Sequence, residues 1–260
     1  SKDTPIIIRK EGHIEVIPIC DLFPSDCSGN ELRLEGVDVW SRNGWTPIKR
    51  VFRHRLNQTK MFRIRAHGGL VDVTEDHSLF LKDRTPILGR SVSIGTELET
   101  AELPLLRRDV LVDSDYAFTL GFILAKSHLE GDRGWISDEN LDLMLKCIHF
   151  FKDRNAPFTF SYTGGCYRLD FEGPKNIIRQ CYTFRTQEKK VPAFVFDWCD
   201  RSKNEFLRGF LTGDGRDLLK TSKVLLQGIL VLSRFLIVNL PSPLQEQLVS
   251  IRTKLSLIHI

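Results

Sequence analysis

Two sets of residues in this 260-residue chain have types and spacings that can do chemistry. The first is Thr74-Glu-Asp-His77, which follows the apolar run Gly69-Leu-Val-Asp-Val73. A hydroxyl and an imidazole three residues apart after a strand can converge on one backbone carbonyl. The imidazole can protonate a departing amide nitrogen while the hydroxyl holds the peptide in place. The same spacing is equally that of an ordinary surface turn. The second set is basic. From Ser41 to Arg65 there are eight Lys/Arg, Arg50, Arg53 and Arg55 among them, and no Asp/Glu, so this window carries +8 in a chain whose net charge is +4. It reads either as a solvated hairpin face or as a surface turned towards phosphates. The six cysteines (20, 27, 147, 166, 181 and 199) show no CxxC or CxxH pairing. Reduced structural thiols are expected, and no zinc site.

These residues need elements to place them. Before residue 100 the apolar runs are short and separated by turn residues. Pro5–Ile8 and Ile14–Ile19 flank Lys10-Glu-Gly12, and Trp40-Ser-Arg-Asn-Gly-Trp45 contains Asn-Gly, a strong hairpin signal. Further strands are expected at Ile48–Arg55, Met61–Ala66, Gly69–Val73 and Ser78–Leu81, which makes this part all-β. Pro104–Asp113 reads as a linker. Beyond it Ser114-Asp115 forms an N-cap with an acid in the first turn, opening a helix over 114–126. A second helix is expected from Ser137, with Leu141, Met144, Leu145, Ile148 and Phe151 on one face and Asp138 and Glu139 at its positive end. Phe158–Tyr162 and Cys166–Phe171 form a hairpin across Thr163-Gly-Gly165, and Pro174 starts a short helix to about Tyr182. Thr221 is the expected N-cap of an apolar helix. Leu225–Leu240, with Gln227, Ser233 and Arg234 inside it, is too short and polar for a membrane span and reads as a buried helix.

The element that organises the second half is Phe206-Leu-Arg-Gly-Phe-Leu-Thr-Gly-Asp-Gly215. Glycine costs about 1 kcal/mol in a helix interior relative to alanine, so Gly209 and Gly213, one turn apart, require close approach of another helix backbone. Thr119-Leu-Gly-Phe-Ile-Leu-Ala-Lys-Ser127 repeats the pattern with Gly121 and Ala125. The two stretches begin 88 residues apart, at Thr119 and Leu207.

These two stretches resemble the paired LAGLIDADG helices of the dodecapeptide (DOD-type) homing endonucleases. The Thr74–His77 block, with Asp-His-Ser-Leu-Phe through it and Asp3-Thr4-Pro5 opening the chain, resembles the Hint domain of inteins from family B DNA polymerases. Lys189-Lys190-Val-Pro192 resembles the Lys-Val-Pro block that precedes the second helix motif in that family. By the residues alone it is as well read as two solvated lysines. The implied fold is an all-β Hint-like domain at 1–105 followed by an α+β endonuclease domain at 106–260. That domain would be a pseudo-dimer of αββαββα repeats, repeat one about 114–203 and repeat two, incomplete, about 204–260. Two twisted sheets would make a saddle over double-stranded DNA, with strands in the major groove.

The resemblance also implies roles. Ser1 takes the place of the nucleophile for an N–O acyl shift that Thr74 and His77 activate. The family has more residues before its Asp-Thr pair than the single Lys2 here, so Ser1 is either the nucleophile or a fragment edge. Gly121, Ala125, Gly209 and Gly213 form the helix-pair interface. Two phosphodiesters on opposite strands need two carboxylates at adjacent helix ends, each with a divalent metal, Mg2+ in this family. Asp214 fits that catalytic and metal-ligating role, and Lys190 that of the lysine reaching the cleavage site. The equivalent of Asp214 in the first repeat is Lys126. Its ammonium would repel a metal and is expected to pair with Asp214 instead. No His-Asn closes the chain, since Ile260 follows His259. Splicing and double-strand cleavage are therefore both expected to be impaired. The expected partners are double-stranded DNA and, in cis, a host (extein) protein, a family B DNA polymerase. The chain is expected to be monomeric, without a membrane, and inside the cell with its host, in cytoplasm or nucleus. A non-catalytic DNA-binding LAGLIDADG module is the alternative, and no other carboxylate or histidine cluster has metal-ligand spacing.

Overall fold

A computed structural model describes residues 2–24, 29–55, 60–66, 69–99, 102–106, 109–130, 133–172, 177–184, 188–214 and 222–233. Ser1, Thr221 and the tail from 234 onward lie outside these. Before residue 100 every described element is a strand or a single 3-10 turn. Strands β1 (Pro5–Lys10) and β2 (His13–Pro18) form the expected hairpin, with Glu11 and Gly12 at positive φ in its turn. They join β4 (Val37–Ser41) and β5 (Gly44–Pro47) in a four-stranded sheet of order β2-β1-β4-β5, and β3 (Glu31–Arg33) pairs separately with β6 (Arg50–Phe52). Two further ribbons follow, β7 (Met61–Ala66) with β8 (Gly69–Thr74) and β9 (Ser78–Phe80) with β10 (Pro86–Leu88).

From Ser114 to Gln180 the order is α1 (Ser114–Lys126), β11 (His128–Glu130), β12 (Arg133–Asp138), α2 (Leu141–Lys152), β13 (Phe158–Thr163), β14 (Cys166–Glu172) and α3 (Ile177–Gln180). This is one αββαββα unit. Its strands pair antiparallel in the order β11-β12-β14-β13. The β13–β14 turn is the expected one, since Gly164 and Gly165 both take positive φ, which two-residue hairpins favour. After α4 (Ala193–Phe196) come α5 (Asp200–Asp214) and α6 (Lys223–Ser233).

Several boundaries differ from the sequence reading, each for a local reason. Ser137 does not begin a helix but lies in β12, because Arg133–Asp138 pairs along its length with β14. The helix begins only at Leu141, where the Asn140 side chain accepts a hydrogen bond from the Leu143 N–H. Asp138 and Glu139 are therefore not in its first turn. The buried stripe is Met144, Cys147, Ile148 and Phe151, while Leu141 and Leu145 stay exposed. The cap of α1 is Asp113 rather than Ser114, its carboxylate accepting from Tyr116 N–H at 2.9 Å. Ser222 Oγ accepts from Leu225 N–H at 3.1 Å at the start of α6, the role expected of Thr221.

The main core holds α1, α2, α5 and α6 together, and it also takes in Ile7, Ile14 and Val16 of the first hairpin. That hairpin lies on α4 and α6. Polar ties reinforce the contact. His13 Nδ1 meets Asp197 at 2.6 Å and Lys190 pairs with Glu15 at 3.1 Å, while Lys223 of α6 pairs separately with Asp72 of β8. The stretch read as a linker is stitched down as well. Buried Lys203 donates to the Leu106 carbonyl at 3.0 Å, and Ser202 Oγ bonds both Val112 N–H and Val112 C=O. Among the described residues no helix is long and apolar enough to cross a membrane.

Candidate functional site

The site is the joint C-terminal end of α1 and α5. These helices touch backbone to backbone, and the four small residues named from sequence are the reason. A Cβ at Gly121 would land on the Phe206 carbonyl oxygen, and one at Gly209 on that of Phe118. A Cβ at Gly213 would come 2.6 Å from the Ala125 Cβ and 3.3 Å from Lys126 Cγ. Around this seam Leu120, Phe122, Leu124, Phe206 and Phe210 are all but fully buried. Large buried side chains flank a stripe where only glycine and alanine fit, so the two last turns are held side by side.

Lys126 ends α1 with its stem beside Gly213, one residue before Asp214. Its ammonium pairs with Asp138 at 2.9 Å, a carboxylate brought into reach because Asp138 lies on strand β12. The expected partner was Asp214, whose side chain lies outside the described structure. A second ammonium reaches the same turn, as Lys189 Nζ donates to the Ala125 carbonyl at 2.6 Å. Lys189 is held there through its own carbonyl, which accepts from Ser222 Oγ at 2.7 Å. Lys190, the neighbour singled out from sequence, instead pairs with Glu15 on the first hairpin. Sequence spacing does not distinguish the two. The distinguishing detail is the Tyr182–Lys189 bridge and the bond from Lys190 N–H to the Cys181 carbonyl, which fix the direction of each residue.

Next to this end begins the outer face of the four-stranded sheet. His128 stacks on Trp135, ring centres 5.1 Å apart and planes within 8°, and the Arg168 guanidinium lies over the same indole at 5.1 Å. Burial, then the nearby Lys189 ammonium, pushes the His128 imidazole below its usual range, and a hydrogen bond to the Lys126 backbone opposes this. An open hollow of 760 Å³ is lined by Glu130, Arg133, Trp135, Thr159, Arg168 and Asp170. Its arginines are internally paired, Arg168 with Asp170 at 2.7 Å and Arg133 with Glu172 at 3.1 Å. The bond from Arg168 holds the Asp170 carboxyl below the usual range. Sequence inspection missed this face, because β11 and β12 are short and rich in polar residues.

In the N-terminal part Thr74 ends β8 half-buried and His77 is exposed across a tight turn. The His77 N–H donates to the Thr74 carbonyl at 3.1 Å, and the His77 carbonyl accepts from Gly89 N–H at 2.8 Å. Gly89 is required there, since a Cβ would come 2.7 Å from the Thr74 carbonyl oxygen. Ahead of Thr74, Asp72 binds both Arg63 and Lys223, and the bond from Arg63, more than that from Lys223, lowers its carboxyl to about 2. The basic window is less basic folded than its composition implies. Arg42, Arg50 and Arg63 pair with Glu99, Glu31 and Asp72, all acids from outside it. Arg53 donates to the Gly29 carbonyl and lies over the Phe23 ring, and Arg55 is exposed.

Among the described residues no group of three or more His, Cys, Asp or Glu is placed to hold a metal ion. At the end of α1 the chemistry is that of ammonium groups, so this end does not fit a divalent cation.

No family model matches the chain. Over 231 residues it is 26% identical to transcription initiation factor IIB of Methanocaldococcus jannaschii, covering 80% of this chain and 34% of that protein. Over 194 residues it is 27% identical to a DNA polymerase of Acanthamoeba polyphaga mimivirus, covering 68% of this chain and 11% of the polymerase. The chain thus spans about a third or less of these relatives. Among solved structures it is similar to I-DmoI in complex with its target DNA in the presence of manganese. That likeness has 15% identity and a TM-score of 0.27, over 41% of this chain and 63% of that one.

Proposed function

We propose that the chain is an intein-type insert, with a Hint-like splicing segment over residues 1–105 and a LAGLIDADG-type domain over 106–260 that binds double-stranded DNA. The observation that carries the DNA reading is the α1–α5 seam, where a glycine of each helix lies on a carbonyl of the other. Together with the αββαββα order it matches what the resemblance requires of a paired-helix saddle. The insert reading is supported by where the similarity falls. A transcription initiation factor and a DNA polymerase do different work, yet matches over 80% and 68% of this chain necessarily share about half of it. A segment common to such proteins, and a minor part of each, behaves as an element carried by its host. The host in this reading is a family B DNA polymerase.

In the splicing segment Ser1 is the nucleophile, Thr74 holds the scissile peptide and His77, exposed after its turn, protonates the leaving nitrogen. In the DNA domain Asp214 keeps the metal-ligating role for Mg2+, while Lys126 at the partner helix end does not. Two strands need two such ends, so double-strand cleavage is impaired. Arg50, Arg53 and Arg55 add phosphate contacts. The test uses a labelled duplex of uninterrupted polymerase-gene sequence. Binding that weakens steeply with salt, without double-strand cleavage in magnesium, is expected, and Lys126→Glu is the variant expected to regain cleavage. Efficient double-strand cutting by the native chain would refute the impaired reading. A hydroxylamine trap reads the acyl shift: cleavage before Ser1 that is lost in Thr74→Ala and His77→Ala is the expected result. A non-catalytic DNA-binding module is the second reading, favoured by the Lys126–Asp138 pair, and it predicts that Lys126→Glu restores nothing.

A further inference from the structure

We propose that β13 is a self-pairing edge, through which two copies of the chain join their four-stranded sheets side by side. A weak dimer then replaces the monomer expected from sequence, and it does not depend on the DNA reading.

Strand β13 lies at one end of the sheet order, and among the described residues it pairs only with β14. An open edge of this kind invites another strand, and proteins blunt it with charge, proline or shortness. The six residues Phe158-Thr-Phe-Ser-Tyr-Thr163 carry no charge, and Phe160 and Tyr162 are exposed. The other described edge strands are four residues or fewer, like β5 and β11, or carry charge, like β2 with Glu15 and β7 with Arg63 and Arg65.

The phase of the ladder sets which groups this edge offers. The Glu172 N–H donates to the Pro157 carbonyl at 3.4 Å, and hydrogen-bonded pairs alternate along an antiparallel ribbon. Thr159, Ser161 and Thr163 therefore bond inwards to β14, while Phe158, Phe160 and Tyr162 turn their N–H and C=O groups outwards. Pro157 falls in the inward set, so its missing N–H leaves no gap in the outer row. A two-fold axis through Phe160 sets Phe160 opposite Phe160 of the other copy and Phe158 opposite Tyr162. Each of these pairs can exchange both of its bonds, so the outward groups of the two strands satisfy one another. The side chains agree with that register. Phe158, Phe160 and Tyr162 alternate onto one face of β13, and directly opposed aromatic pairs favour sheet pairing. Thr159 comes opposite Ser161 on the other face, and no like charges meet. The row needs an extended, uncharged strand of matching phase, and β13 is itself such a strand. Pairing uses up this edge in both copies, so association stops at the dimer.

Sedimentation velocity of the full chain from low to high micromolar concentration reads the association. Amide hydrogen exchange at both ends of that range reads the register. A concentration-dependent dimer is expected, in which the Phe158, Phe160 and Tyr162 amides gain protection while those of Thr159, Ser161 and Thr163 do not change. Phe160→Lys and Phe160→Glu should each be monomeric, because the axis sets each new charge against itself, and an equimolar mixture of the two should dimerise again. Circular dichroism checks their fold, and if either unfolds the amide pattern of the native chain still decides. A native chain that is monomeric throughout, a species larger than a dimer, or a dimer that persists in folded Phe160→Lys overturns the proposal. So does a dimer that leaves the Phe158, Phe160 and Tyr162 amides unchanged.

Discussion

Gly209→Ala isolates the helix seam. On propensity alone the change should stabilise α5 by about 1 kcal/mol, since alanine is the better helix former. The structure opposes this. The new Cβ would fall on the Phe118 carbonyl oxygen and 2.7 Å from its carbon, both backbone atoms that no rotamer change can move aside. The helices would have to part by about 1 Å, and a gap of that size forfeits a quarter to a half of each dispersion contact across it. Phe118, Leu120, Phe206 and Phe210 all lie buried around that contact. Overpacking against backbone that cannot yield falls at the upper end of a range of about 1–3 kcal/mol, so after the propensity gain of about 1 kcal/mol a net loss of about 2 kcal/mol is expected. The assay is urea unfolding followed by tryptophan fluorescence and far-UV circular dichroism, with Thr212→Ala on the exposed side of α5 as the control. Thr212→Ala should leave the midpoint nearly unchanged, and Gly209→Ala should lower it clearly. A Gly209→Ala midpoint at or above the native one would mean that the helices do not approach as described, and the DNA-saddle reading would lose its main support.

Asp72→Asn should cost about 1–2 kcal/mol, the worth of a carboxyl held near 2 against an ordinary value of 3.8, reduced by the solvent that screens the half-exposed Arg63. Because the folded value is the depressed one, this contribution is complete above pH 4 or so and is lost as pH falls from there through about 2. Acid unfolding should therefore be shallower in Asp72→Asn, and equal acid sensitivity of the two proteins would contradict the pairing of Asp72 with Arg63 and Lys223. Burial pushes the Cys147 and Cys181 thiols up to about 12. A thiol reagent at neutral pH should leave both unlabelled until denaturant is added, as peptide mapping can show, and labelling of either in the native protein would count against the packing of α2 and of the turn after α3.

Legibility in the sequence followed how local the determining physics was. Gly164 and Gly165 announced their turn because positive φ is a property of the residue itself. Gly209 and Gly121 announced a close helix pair because glycine weakens an apolar helix unless a neighbouring backbone needs the space. The start of α2 was misplaced because Ser137 and Asp138 are good helix-opening residues whose fate is settled by β14, some thirty residues away. Lys189 and Lys190 are chemically identical neighbours, and only the ladder with Cys181 and Tyr182 sends one to α1 and the other to Glu15. Charge was misjudged for the same reason. The acids that neutralise the basic window sit outside it in sequence and beside it in space.

The burial of Ile7, Ile14 and Val16 in the same core as α4 and α6 bears on how the chain can be taken apart. Cutting between the two proposed units would strip one face from an apolar hairpin and uncover the parts of α4 and α6 that it packs on. Neither piece would be a finished surface, and each would tend to aggregate. A minimal version engineered from either half needs polar replacements at Ile7, Ile14 and Val16 on one side and along α6 on the other.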